Sequence, residues 1–199
     1  MSSTFRVPTW ALLTGALLLA AIYSESAAAP NFDTDGWHTW RVQSVDDSVR
    51  CCGIWTSGKL TSSGCNLDSG RSTRICNDLA TSDEVQVYVK SESGKVVEIR
   101  AFSPQCPVES EHGIRDLGLV ANAESVAWLT PYIRSDSELG EGAIAAIAAH
   151  AGPEAFAALR TLLEDRRLDM GVREQALFWM VHGGSDAAFD YVETLITGG

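Results

Sequence analysis

The five cysteines of this chain are the residues best suited to covalent or metal chemistry, and all of them precede residue 107. They are Cys51, Cys52, Cys65, Cys76 and Cys106. A structural zinc site requires cysteine or histidine pairs at short chelating distances, and the intervals of 0, 12, 10 and 29 residues between these cysteines supply none. In an exported chain such a cluster favours disulfides, and with five cysteines at least one thiol is left over. We therefore predict disulfides, and neither a metal nor a cofactor.

The sequence contains no complete catalytic motif among those of the common enzyme classes. The segment 53–59 matches the first seven positions of a phosphate-binding loop, but Leu60 stands where a magnesium-binding Ser or Thr is required. Nucleophile-elbow, metalloprotease and C-x-x-C patterns are missing. We therefore predict no catalytic residues and a protein that is not an enzyme.

Two of the four histidines occupy equivalent places. His150 and His182 each end a predicted helix, where a positive side chain would complement the helix dipole. His112 follows two glutamates in a linker, and an acid–base or metal role there lacks a third partner. A structural role is therefore the prediction for the helix-end pair.

The N-terminal residues 1–28 have the pattern of a secretory signal peptide. Arg6 precedes the apolar run 11–22, and Ser26 and Ala28 satisfy the small-x-small rule, so residues 1–28 are predicted to be removed. An apolar run of about a dozen residues is shorter than the roughly 20 needed to span a bilayer. We expect a periplasmic or secreted protein without stable membrane insertion.

The charge narrows the range of partners. The full chain carries a net charge of −11, and removal of Arg6 and Glu25 leaves that value unchanged. Such a surface repels phosphate backbones, so nucleic-acid binding is not expected.

The remaining chain divides into two regions, predicted as 29–117 and 118–199. The first is cysteine-rich and β-like: residues 84–90 alternate strictly, and 95–102 follow after a short turn containing Gly94, which predicts a hairpin. Weaker strand candidates are 37–45 and 49–55. Residues 56–82 are rich in turn-forming types and predict irregular structure braced by disulfides.

The second region has helical periodicity and an internal repeat. Five helices are predicted, over 123–134 with an interruption at Pro131, over 141–150, from Pro153, over 172–182 and after Ser185. The offset is 32 residues for the histidine pair and 33 for the apolar residues of the third and fifth helices. The apolar positions expected to face inward are Phe156, Leu159, Leu162, Leu163, Val172, Ala176, Trp179, Met180, Phe189, Val192, Leu195 and Ile196.

Residues 173–196 resemble a HEAT repeat, with an R-x-x-A helix, a Gly/Ser-Asp turn and a second helix with paired aliphatic residues, and 140–165 resemble a degenerate copy. The first region resembles the N-terminal part of exported bacterial proteins with such tails, through Cys51-Cys52, Gly64-Cys65 and 103–107. That resemblance implies that Cys51 and Cys52 bridge to Cys65 and Cys106, in either pairing, and that Cys76 is free.

The predicted fold class is α+β, with a small disulfide-braced antiparallel β region followed by a short α-solenoid of HEAT-like hairpins. A repeat scaffold presents a surface, so the expected function is binding of a protein or peptide partner. Two alternatives stay open: a hydrolase with a site in the cysteine-rich region, and a passive envelope accessory protein. Oligomeric state is not predicted.

Overall fold

A computed structural model describes residues 30, 32–46, 51–56, 58–76, 79–134, 137–183 and 185–198. The predicted signal peptide, residues 1–28, lies outside these ranges. Within them the fold is mixed α+β, as predicted. The strands are β1 (Gly36–Gln43), β2 (Cys52–Thr56), β3 (Lys59–Asn66), β4 (Ser72–Ile75), β5 (Glu84–Glu92), β6 (Lys95–Phe102), β7 (Val108–Glu109) and β8 (Ile114–Leu119). The helices are α1 (Asn122–Leu129), α2 (Glu138–Ala148), α3 (Pro153–Glu164), α4 (Met170–His182) and α5 (Asp186–Thr197).

The larger sheet has the strand order β6-β5-β1-β8. The predicted hairpin is confirmed: β5 and β6 pair antiparallel, and Gly94 adopts a positive φ of 71° in the turn between them. Alternation along β5 places Val85, Val87 and Val89 in the core. The expectation of a purely antiparallel β region is wrong, because β8 pairs with β1 in parallel. The long connection that a parallel pair requires runs through the rest of the β region.

The smaller sheet has the order β2-β3-β4, with β7 paired in parallel to β3. The prediction of irregular structure over 56–82 is therefore partly wrong, since β3 and β4 form there. These strands are rich in Gly, Ser and Thr, and one glycine is required: a Cβ at Gly64 would meet the Pro107 carbonyl oxygen at 2.8 Å. The phosphate-loop-like segment proves to be the β2–β3 hairpin, with Thr56 opposite Lys59.

The predicted helices are present with small changes of boundary. Pro131 interrupts the first as expected: α1 ends at Leu129 and a 3-10 turn covers Thr130–Tyr132. Pro153 opens α3, and the Ser185 side chain caps α5 by accepting a hydrogen bond from the Ala188 amide. Over the described residues, no helix is both long and apolar enough to traverse a bilayer.

One hydrophobic core unites the larger sheet with the helices. It contains Trp40 and the β5 valines from the sheet together with residues of all five helices. Helix α2 approaches the edge strand β6 so closely that a Cβ at Gly142 would collide with the Ile99 carbonyl. A helix that covers a sheet edge in this way protects it from pairing with another chain.

The last helix departs from the predicted inward stripe. The expectation that Phe189, Leu195 and Ile196 face inward is wrong: their exposed fractions are 52%, 51% and 80%. Periodicity identifies an apolar face on α5, but among the described residues no element packs over that face. Leu159, Leu162, Val172, Ala176 and Met180 are buried as predicted.

Candidate functional site

Two disulfides tie the smaller sheet together. Cys51 bonds to Cys106 and Cys52 bonds to Cys65, each with a Cα–Cα separation of 5.5 Å. Disulfides are thus confirmed in the cysteine-rich region, and Cys76, at the end of β4, is in neither bond. Cys65 and Cys106 are buried in a second core cluster with Trp37 and Tyr88. The two bonds therefore join β2 to β3 and the residue before β2 to the segment between β6 and β7.

A buried polar chain joins β1, α1 and α2. The Trp40 indole N–H donates to Ser125 Oγ at 2.8 Å, and His150 Nε2 lies 2.7 Å from the same oxygen. His150 Nδ1 lies 2.8 Å from the Ala146 carbonyl, which can only accept, so the proton is on Nδ1 and Ser125 donates to Nε2. The polar side-chain atoms of Trp40, Ser125 and His150 therefore all have hydrogen-bond partners.

This serine–histidine pair resembles a nucleophile and its base, but solvent does not reach it. Ser125 and His150 are 0% and 1% exposed. Burial lowers the pKa of His150 to about 4, only partly offset by the bond to Ala146, so the ring is neutral at pH 7. The pair therefore holds elements together, and the predicted positive charge of His150 at the helix end is wrong.

The two histidines of the repeat are consequently not equivalent. His182 is exposed at the end of α4, and its ring stacks on Phe178 with centroids 5.6 Å apart. His150 instead lies beside the end of β1, where the Val45 amide donates to the Ala149 carbonyl at 3.0 Å. The matching sequence spacing of the pair therefore does not give the two histidines the same surroundings.

In the cysteine-rich region, the alternative location of a hydrolase site, His112 is exposed on a loop near Asp68. The Glu111 amide donates to Asp68 at 2.6 Å and the Trp37 indole donates at 2.9 Å. The hydrogen bond from the Glu111 backbone N–H is the main reason that the pKa of Asp68 is lowered. A carboxylate with a lowered pKa is a poor general base or acid. Across the described ranges, no group of three or more His, Cys, Asp or Glu side chains could hold a metal ion.

An exposed apolar surface covers the outer side of the last two helices. We call it the terminal face: Phe178 and Val181 of α4 and Phe189 of α5, which are 59%, 41% and 52% exposed. Together with Glu174, Leu177 and His182 they line a shallow depression of about 520 Å³. Contiguous apolar side chains of this size at a protein surface are a mark of interaction sites.

A larger groove adjoins the terminal face through Phe178, which lines both. The groove has a volume of about 890 Å³ and runs between β6 and the 67–70 turn on one side and α2 and α4 on the other. Trp179 also lines it and extends to a smaller, mostly apolar cavity of about 260 Å³ between α3, α4 and the start of α5. The terminal face and the groove therefore lie side by side and share Phe178.

The sequence of α4 carries a pattern that marks the terminal face. Along α4 the inward positions Val172, Ala176 and Met180 account for one side of the helix, yet Phe178 and Val181 place large apolar side chains on another. A helix that is apolar on more than one side has a second surface to bury. The signal could have located the face but not the groove, which depends on how α2 and α4 sit beside β6.

No protein-family model, curated protein or solved structure matches this chain.

Proposed function

We propose that this chain is an exported binding module that presents the terminal face to a protein or peptide partner. The observation that carries the proposal is the exposure of Phe178, Val181 and Phe189 as one apolar surface. Large aromatic side chains at such a surface are the usual anchors of protein interfaces. Export is supported by the two disulfides, which persist in oxidising compartments.

The proposal includes a short HEAT-like repeat, with α2–α3 and α4–α5 as consecutive units. Helix α4 contacts both α2 and α3, as stacked units require. The outer side of the second unit is apolar, with Phe178, Val181 and Phe189 exposed, and this supports its burial against a partner.

The terminal face also distinguishes this proposal from a hydrolase or a passive accessory protein. Neither alternative requires apolar side chains to be held in solvent at a cost in solubility. The serine–histidine pair, the feature that would favour a hydrolase, is buried, with Ser125 and His150 only 0% and 1% exposed. No observation favours the passive alternative.

Substitution of Phe178 by serine tests the proposal. Because Phe178 is largely exposed, we expect Phe178→Ser to leave the thermal midpoint nearly unchanged and to abolish recovery of the partner with tagged protein. The matched control is Leu119→Ser, which removes a side chain that is 55% exposed at the end of β8. Equal recovery with wild type and both variants would contradict the proposal.

A further inference from the structure

We propose that the partner of the terminal face supplies a cationic segment with one large apolar side chain, and that this segment lies in the groove between β6, α2 and α4. The inference rests on the proposed function and specifies the chemistry of the partner. It follows from the residues that line the groove and from the charges of helices α4 and α5.

The apolar part of the groove can hold one large side chain beside the terminal face. Phe178 and Trp179 line the groove from α4, and the exposed side chain of Val97 lines it from β6 on the opposite side. Phe178 and Trp179 meet edge to face, with ring centroids 5.2 Å apart. An aromatic pair of this kind offers a wide contact to an inserted apolar side chain.

The charged part of the groove is strongly negative. The carboxylates that line it are Asp68, Glu98, Glu138 and Glu141. Arg100, the basic residue among the lining side chains, is bound to Glu98. The other three carboxylates thus give the groove a net negative field beside the aromatic pair. Complementarity then requires lysine or arginine in the segment that enters.

A second copy of this chain does not fit these requirements. The described parts of α4 and α5 carry four acidic residues and one basic residue, Arg173, whose Nε donates to the Leu163 carbonyl at 3.0 Å. The acidic residues are Glu174, Asp186, Asp190 and Glu193. Packing two terminal faces together would bring these like charges close, at a cost that a cationic partner avoids.

Titration calorimetry with three short synthetic peptides tests the inference on the full chain with its disulfides intact. One peptide places a phenylalanine between lysines, the second replaces the lysines by glutamines, and the third replaces them by glutamates. We expect the lysine peptide to bind most tightly and to lose affinity between roughly 0.05 M and roughly 0.5 M salt. The glutamate peptide should not bind.

Matched variants locate the binding. Glu141→Gln in the groove should weaken the lysine peptide about two- to fivefold, as loss of one exposed charge pair would. Glu154→Gln on α3, outside the groove, should have no effect. Phe178→Ser should weaken both the lysine and the glutamine peptides. Circular dichroism and the thermal midpoint establish that each variant is folded.

The outcomes separate the two proposals. Equal, salt-independent binding of the lysine and glutamine peptides that Phe178→Ser abolishes would overturn the cationic inference and leave the binding function standing. Tight binding of the glutamate peptide would also overturn it. If no peptide binds, the cationic inference is overturned. If sedimentation in addition shows a dimer that Phe178→Ser dissociates, the face is a self-association surface and the proposed function is overturned as well.

Discussion

Protonation of His150 should make the stability of this protein depend steeply on pH between neutrality and pH 4. The ring is buried and neutral, and burial lowers its pKa to about 4, whereas an unfolded histidine titrates near 6.5. The unfolded state therefore binds more protons throughout this window. The sign follows from linkage: the folded state keeps its full stability above about pH 6.5 and loses stability as the pH falls towards 4.

The two pKa values set the size of the effect. Between pH 7 and pH 5 the loss attributable to this one group is about 2 kcal/mol, and between pH 7 and pH 4 it is about 3 kcal/mol. Those values are a substantial fraction of the roughly 5–15 kcal/mol by which a domain is stable. Hydrogen bonds from backbone N–H groups lower the pKa values of Asp35 and Asp68. The contributions of these two carboxylates to stability are lost below about pH 3.8, outside most of this window.

Urea unfolding at a series of pH values measures the effect, with His150→Gln as the variant that cannot titrate. The difference in unfolding free energy between pH 7 and pH 5 should be about 2 kcal/mol larger for the wild type than for the variant. His182→Gln, which changes an exposed histidine, is the matched control for the substitution itself. If His150→Gln does not fold, the NMR titration of the His150 ring decides instead. A ring that titrates near pH 6.5 would refute the buried neutral assignment.

Two further predictions concern packing and covalent structure. Gly142→Ala should destabilise the protein by about 1–3 kcal/mol, measured by urea unfolding, because the added Cβ collides with the Ile99 carbonyl. Helix propensity alone would instead stabilise the variant by up to about 1 kcal/mol, so a gain in stability would contradict the close approach of α2 to β6. Alkylation of the denatured protein without reductant should add one group, at Cys76, whereas alkylation after reduction should modify all five cysteines. Three or more adducts before reduction would show that a disulfide is missing.

Local patterns predicted the elements whose stability is also local. The strict alternation of β5 and the glycine-containing turn specify the hairpin, and Pro131, Pro153 and Ser185 act on the nearest helical turn, so each could be placed from neighbouring residues. Helices α1 to α5 could be predicted for the same reason. Their apolar periodicity is strong, and it does not depend on what they contact.

Strands that depend on pairing with distant residues could not be predicted from local patterns. Strand β3 has no apolar alternation to identify it. It is held by pairing on both sides and by a glycine that fits against Pro107. The parallel strand β8 pairs with β1 across more than seventy residues, which no local pattern encodes.

The same limit applies to the candidate site. The stripe of α5 could be seen in the sequence, but its exposure follows from the absence of a further described element to cover it. His150 and His182 match in spacing, and only the position of Ser125 and Trp40 beside His150 separates a buried hydrogen-bonded ring from an exposed one. The groove combines residues of β6, α2 and α4, so it exists only once those elements are packed.

Site-specific photo-crosslinking tests most directly whether the outer side of the last two helices meets a partner. A photoreactive phenylalanine derivative replaces Phe178 in one form of the protein and Leu119 in another, and both are illuminated in the compartment where the protein resides. A discrete cross-linked product with a different protein at position 178, and none at 119, is the predicted result. Cross-links at 178 that contain only this chain, or no cross-links at 178, would contradict the account.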